Sequence, residues 1–334
     1  MLRLPIPDPS PEGLADWAEL CCLFGPQPTL SVARISDFLQ EELGLDDFED
    51  FALGVGAADS ELSAELEADL RAGGHDQAAE GLNPANQQTE ATLSQLSFRE
   101  QVVGNHYPIR VEAAAARRTA SWEERPVYPF LCLLGARLLY KLDIPFHIPA
   151  RLFERVVTEA LRAYVGGEAL RFGWPRLEDE PIEDFRSKVV RLARRMGEEV
   201  GRMRSIGPDA KDYDLDVIAW RGFKDGKTRG QLVIVCQCAI GQDWGEKLLS
   251  VDSWQEVIVF NVRPVGALAF PVVPSREPDL LFKWHDVTVR GNLPLDRLRL
   301  ASLLDESMIA EDLLDDLRVW IAEAVGALPL VGAA

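Results

Sequence analysis

Two short stretches hold the residue types best suited to chemistry. One is Asp212-Tyr213-Asp214-Leu215-Asp216-Val217-Ile218-Ala219-Trp220; the other is Gln231-Leu232-Val233-Ile234-Val235-Cys236-Gln237-Cys238-Ala239. Both are rich in β-branched and apolar residues, and Asp225-Gly226 between them is a tight-turn signal. They predict the strands Leu215–Trp220 and Gln231–Cys238 of a hairpin with a longer loop. Side chains alternate along a strand, so Asp216, Ile218 and Trp220 share one side. On the second strand Gln237 and Ala239 share a side and Cys238 points away. Such pairing brings an acid at the start of one strand near polar residues at the end of the next. A carboxylate with strand-end oxygens is the donor set a hard Mg²⁺ ion takes beside a phosphate. The ion would activate a water and neutralise charge developing on the phosphate. A buried amide costs about 1–3 kcal/mol unless hydrogen-bonded, so Gln237 within an apolar strand calls for a partner.

Other chemistries find less support. Cys236 and Cys238 read as small core residues, since a zinc site needs further ligands at finger-like spacing. The four histidines, His75, His106, His147 and His285, are dispersed. There is no P-loop, no dinucleotide-binding glycine fingerprint and no G-x-S-x-G elbow. The five cysteines (Cys21, Cys22, Cys132, Cys236, Cys238) lack framework spacing, which predicts reduced thiols and a cytoplasmic location.

The elements around the hairpin follow from periodicity. The chain has 334 residues, 47% of them hydrophobic and 27% charged, as in an ordinary globular protein of two domains. Residues 14–24 have helical spacing, and Ser31 reads as the cap of a helix Val32–Leu43 that Gly44 stops. Residues 72–95 read as a polar loop. Val111–Ala116 and Tyr128–Lys141 read as helices. Pro145-Phe146-His147-Ile148-Pro149 marks a boundary. Beyond it, Arg151–Val165 places Phe153, Val156, Val157, Ala160, Leu161 and Tyr164 on one helical face. Ile182, Phe185, Val189, Leu192 and Met196 recur at helical spacing, and Gly197 to Pro208 winds that helix down. After the hairpin come a helix Trp244–Trp254, strands Glu256–Asn261 and Val265–Val273, and helices Pro294–Leu304 and Glu311–Val325. Helix, hairpin, helix and strand together indicate an α/β or α+β fold.

Charge is uneven. The net value is −19, which argues against a basic nucleic-acid coat protein or a protein drawn to anionic membranes. No run of about 18 apolar residues predicts a membrane helix. The first residues lack the apolar core of a signal peptide. Residues 1–100 hold four Arg, no Lys and 20 Asp+Glu, whereas residues 186–230 hold 12 Lys+Arg against seven Asp+Glu. The acidic third reads either as a solvated surface or as a face that docks on a basic partner. In the basic stretch Arg186, Arg191, Arg194, Arg195, Arg202 and Arg204 lie on or just after one helix. They are either a solvated helix face or phosphate-backbone donors. Trp220 and Trp244 read as core.

Asp216 in Leu215-Asp216-Val217-Ile218-Ala219-Trp220, followed after a hairpin by Val235-Cys236-Gln237-Cys238-Ala239, resembles the PD-(D/E)xK restriction-endonuclease-like superfamily. The Mrr-like branch is the nearest form. Leu152-Phe153-Glu154 resembles the "F-E" helix of that branch. The resemblance covers roughly residues 150–262. It implies that Asp216 binds the metal, that Gln237 stands where the family has Glu or Gln, and that Glu154 is the helix glutamate. Glu198 competes with Glu154 for that role. The family lysine would fall at Ala239, so its function would pass to Lys247 in the next helix, or to Lys224 or Lys227 on the hairpin. Loss of such a preorganised group costs about 10²–10³ in rate.

The expected organisation is an acidic, mainly helical domain 1–145, a restriction-endonuclease-like α/β core 146–290, and C-terminal helices 291–334. The expected function is a Mg²⁺- or Mn²⁺-dependent nuclease acting on DNA, an effector of a bacterial defence or restriction system. Its catalytic residues are Asp216, Gln237, Lys247 and Glu154, its metal ligands Asp216 with Glu154 or Glu198. Its DNA-binding residues are Arg194, Arg195, Arg202, Lys224 and Lys227. A partner protein would present the DNA or hold the nuclease silent. The alternative is a catalytically inactive nuclease-fold subunit whose acidic N-terminal domain binds a basic partner or mimics nucleic acid.

Overall fold

Ser10 opens the first helix, its hydroxyl accepting the Gly13 N–H at 3.1 Å with Pro11 at the first helical position. In the computed structural model, residues 5–6, 9–43, 84–141, 147–173, 184–203, 213–225, 230–241, 244–247, 249–275, 282–290 and 292–328 are described. Helix α1 (Pro11–Phe24) is buried on nearly every side. Strand β1 (Thr29–Ser31) leads into α2 (Val32–Leu43), and the Ser31 hydroxyl accepts the Arg34 N–H at 3.3 Å, as its capping role predicts.

The part of the expected loop 72–95 that is described is helical, in α3 (Pro84–Val103); residues 72–83 lie outside the described residues. Its buried stripe is Ala85, Thr89, Thr92, Leu96, Arg99 and Val103, at spacings of three and four. Half of that stripe is polar, which hides the helix from a reading of apolar residues. Thr89 and Thr92 return their hydroxyls to the carbonyls of Ala85 and Gln88 at 2.7 Å each. The helix predicted over Val111–Ala116 is instead a hairpin of β2 (Ile109–Glu112) and β3 (Ala115–Arg118). Pairing of β3 with the remote β1 completes a three-stranded sheet, a contact that six residues cannot reveal locally.

Helix α4 (Val127–Tyr140) follows as predicted. Helix α5 (His147–Val165) starts before the predicted Arg151 and takes His147, Ile148 and Pro149 of the expected boundary into its first turn, where a proline is tolerated; Pro145 and Phe146 lie outside the described residues. Tyr164, expected on its apolar face, is half exposed. Strand β4 (Glu168–Arg171), unforeseen, is made largely of helix formers and is a strand because it pairs with a later one. After α6 (Phe185–Met196) and the two-residue β5 (Glu199–Val200) come β6 (Val217–Arg221) and β7 (Leu232–Cys238), the predicted hairpin. The predicted helix Trp244–Trp254 reduces to one 3₁₀ turn at Trp244–Glu246 and α7 (Val251–Val257), which Ser250 caps. Then β8 (Ile258–Val259) pairs with β5, and β9 (Val265–Ala269) joins the main sheet. Helix α8 (Phe282–Val289) precedes β10 (Asn292–Leu295). The predicted helix Pro294–Leu304 is thus split: its start extends beside β9, and Asp296 caps α9 (Arg297–Ser302). Helix α10 (Glu311–Gly326) ends the fold as predicted.

The main sheet has five strands in the order β10-β9-β7-β6-β4. Strands β4, β6 and β7 are antiparallel, and β7, β9 and β10 are parallel. One sheet face presents Val217, Ala219, Ile234 and Cys236 to Phe153, Val156 and Ala160 of α5. The other presents Ile218, Trp220, Val233 and Val235 to Val189 and Leu192 of α6 and Trp254 of α7. The fold is mixed α/β, as predicted. The first apolar cluster runs unbroken from Leu14 of α1 through α5 to Trp320 of α10, so the core is continuous across residue 145.

Buried charge binds this core together. Arg99 Nη1 lies 2.7 Å from Asp16 and 2.8 Å from Glu19, and Arg297 pairs with the same two carboxylates. Tyr107 and Tyr128 donate to Glu19 Oε1 at 2.7 and 2.6 Å. Glu12, Asp16 and Glu19 are therefore inside rather than on an acidic surface. Burial pushes the Asp16 carboxyl up, but Arg297 and Arg99 outweigh it and hold it below the usual range. Among the described residues, no helix is long and apolar enough to cross a membrane.

Candidate functional site

The site forms where α5, β4, β6 and β7 meet. The apolar face of α5 packs on the sheet, which carries Glu154 on that helix into a buried position beside the end of β4. Arg171 closes β4, and its Nε lies 2.7 Å from Glu154 Oε2. Val217 stands opposite Cys236 in the β6–β7 ladder, so Asp216 falls opposite Gln237, just beyond the first paired residues. The Asp216 N–H donates to the Cys236 carbonyl at 3.1 Å, and Asp216 Oδ2 accepts the Cys238 N–H at 2.7 Å. The Asp216 carbonyl in turn accepts the N–H groups of Phe172 at 2.6 Å and Gly173 at 3.0 Å.

Those bonds lay Gly173 against both carboxylates. A Cβ at Gly173 would stand 2.5 Å from Glu154 Oε2 and 3.1 Å from Asp216 Oδ1. The two acids thus converge on a space kept clear because residue 173 has no side chain. Gln237 Oε1 is buried and accepts no hydrogen bond among the described residues. Two carboxylates and an orphaned amide oxygen are hard donors, a set that fits Mg²⁺ or Mn²⁺. Among the described residues no group of three His, Cys, Asp or Glu side chains is placed to hold a metal. Burial, the adjoining Cys236 thiol and the nearby Asp216 and Glu154 carboxylates push the Cys238 thiol well up.

The other predicted residues are elsewhere. Glu198 Oε1 accepts from Gln231 at 3.2 Å and Oε2 from Asn261 at 2.7 Å. Gln231 precedes β7, at the end opposite Gln237, so Glu198 does not join Asp216 and its carboxylate fastens the loop ends. Ala239 is fully buried in a cluster with Trp244 and Phe270. Lys247 follows the 3₁₀ turn, outside any helix, and makes no hydrogen bond or ion pair with a described residue, so the expected substitution from the next helix lacks its helix. Lys227 lies outside the described residues. Arg202 is exposed beyond β5. Arg194, Arg195 and Lys224 line a cleft at the Arg221 end of β6, about 16 Å along the strand from Asp216. Arg195 Nε is 2.8 Å from Glu168, and its guanidinium lies over the Trp220 ring. Trp220 and Trp244 are core, as predicted.

No family model, curated protein or solved structure matches this chain.

Three residues of the site escaped the sequence reading. Arg171 and Gly173 went unnoticed because β4 itself was not recognised. Lys188 had a signal: it sits within the apolar stripe of α6 beside Phe185, Val189 and Leu192. Its Nζ donates to the Phe172 carbonyl at 2.8 Å and lies 4.5 Å from the Phe172 ring centre. A buried ammonium therefore holds the residue that immediately precedes Gly173.

Proposed function

We propose that this protein is a metal-dependent nuclease that hydrolyses phosphodiester bonds in DNA. The convergence of Glu154 and Asp216 on the space above Gly173 carries this reading. The order of elements supports it too: α5, three antiparallel strands, α7 and a parallel β9 suit a restriction-endonuclease-like core. Asp216 and Glu154 hold Mg²⁺ or Mn²⁺, and Gln237 supplies the amide oxygen. The bound ion supplies Lewis acidity and a water of lowered pKa. The Cys238 N–H orients Asp216 through Oδ2 and leaves Oδ1 toward Gly173. Arg171 offsets part of the carboxylate charge and remains beside the space where a phosphate would sit. Lys188 fixes the backbone of Phe172 and so the position of Gly173. In this reading the protein serves a bacterial defence or restriction system, with a partner that presents the DNA.

A specific observation favours a second reading. Arg171 already answers the Glu154 charge, and a buried alanine stands at the family's lysine position. Both suit an inactive nuclease-fold subunit that acts by binding. Incubating plasmid and short linear DNA with Mg²⁺ or Mn²⁺ separates the readings. Nicking or degradation by wild type but not by Asp216→Ala supports the nuclease. No cleavage by either protein, at concentrations where DNA is bound, supports the binding subunit.

A further inference from the structure

The cleft at the Arg221 end of β6 has a volume of about 1110 Å³, above the usual range for small-ligand pockets. Among the described residues its cations are Arg194, Arg195, Arg221 and Lys224, all exposed, and Glu168 is its one acidic lining residue. Arg195 is paired with Glu168, so the lining keeps a net charge of +3. Such a surplus recognises phosphates. Phe223, between Arg221 and Lys224, is 69% exposed at the cleft. A phenyl ring that exposed packs into no core. Beside cations that track a phosphate backbone, it offers a stacking platform for an unpaired base. A duplex keeps its bases stacked inside and leaves such a ring without a partner.

We infer that this cleft binds single-stranded nucleic acid, with Arg194, Arg221 and Lys224 on the phosphates and Phe223 stacked on a base. The site lies about 16 Å along β6 from Asp216 and does not require the carboxylate pair to be active. It is a second nucleic-acid contact, holding an unpaired strand away from the point of cleavage.

The test measures fluorescence anisotropy of a labelled mixed-sequence oligonucleotide of about 20 nucleotides, as a single strand and as a duplex, with the full chain in chelator. The single strand is expected to bind more tightly than the duplex. Phe223→Ala is expected to weaken single-strand binding about tenfold and leave duplex binding unchanged. Arg194→Ala with Lys224→Ala is expected to reduce the slope of log K against log salt by about 1.4. All three side chains are exposed, and circular dichroism checks that the variants remain folded. Equal affinity for both forms, a Phe223→Ala variant that binds like wild type, or no binding by wild type would each overturn the inference. Asp216→Ala is expected to bind the single strand like wild type, so failure of the cleavage reading and failure of this one give different results.

Discussion

Arg171 Nε lies 2.7 Å from Glu154 Oε2, and the two side chains are only 5% and 8% exposed. Breaking such a pair leaves an uncompensated buried charge, which costs about 3–5 kcal/mol. Arg171→Met is therefore expected to lower the melting temperature in chelator. It also leaves Glu154 without its paired cation, so Mn²⁺ is expected to raise its melting temperature more than that of wild type. Equal or absent Mn²⁺ shifts in a thermal-melting series would contradict a cation site at these acids.

A side chain at Gly173 is expected to displace the two carboxylates. A Cβ there meets Glu154 Oε2 at 2.5 Å and Asp216 Oδ1 at 3.1 Å. Gly173→Ala is expected to cost about 1–3 kcal/mol in urea unfolding through overpacking. Cleavage is expected to fall by at least about 10²-fold, because the added methyl displaces the carboxylates from their geometry. An alanine variant that cleaves at the wild-type rate would show that the acids do not work from this space.

Lys188 is a positioning residue in this scheme. Removing its bond to the Phe172 carbonyl frees the backbone beside Gly173. Lys188→Met is expected to lower the turnover number about 10-fold or more while leaving DNA affinity unchanged. A rise in KM at constant turnover would instead place Lys188 in substrate binding.

Stability is expected to depend on acid through Asp16. Its folded pKa is lowered, so its contribution is complete above the unfolded carboxylate range, near pH 4, and is lost as pH falls through the lower folded value. Urea midpoints from neutral pH downward are expected to fall across that window, and Asp16→Asn is expected to flatten that decline. Arg297→Met, which leaves Asp16 and Glu19 buried with one arginine, is expected to cost about 3–5 kcal/mol. A loss below about 1 kcal/mol would mean that the network contributes little beyond its packing.

Much of the scaffold was legible locally. The α5 stripe from Phe153 to Leu161 and the apolar runs of β6 and β7 carry their period within a few residues. So does the cap signal at Ser31. Strand β4 was not legible, since Glu168–Arg171 favours no strand until β6 supplies its hydrogen-bond partners. The β10–α9 break has the same origin, because β9 draws Asn292–Leu295 into a parallel ladder.

By itself the sequence determined a mixed α/β protein, the hairpin and the helix that carries Glu154, since each depends on spacing within one element or across one turn; the register that sets Asp216 opposite Gln237 came from the paired strands. Tertiary structure alone decided which acids meet. It placed Glu154 with Asp216 over Gly173, sent Glu198 to Gln231 and Asn261, and moved the arginines to the far end of β6. It also turned surface-like acids of α1 inward to Arg99 and Arg297, the latter 281 positions away from Asp16. Charge has no period and acts through space, so partners that distant are set by packing rather than by any local pattern.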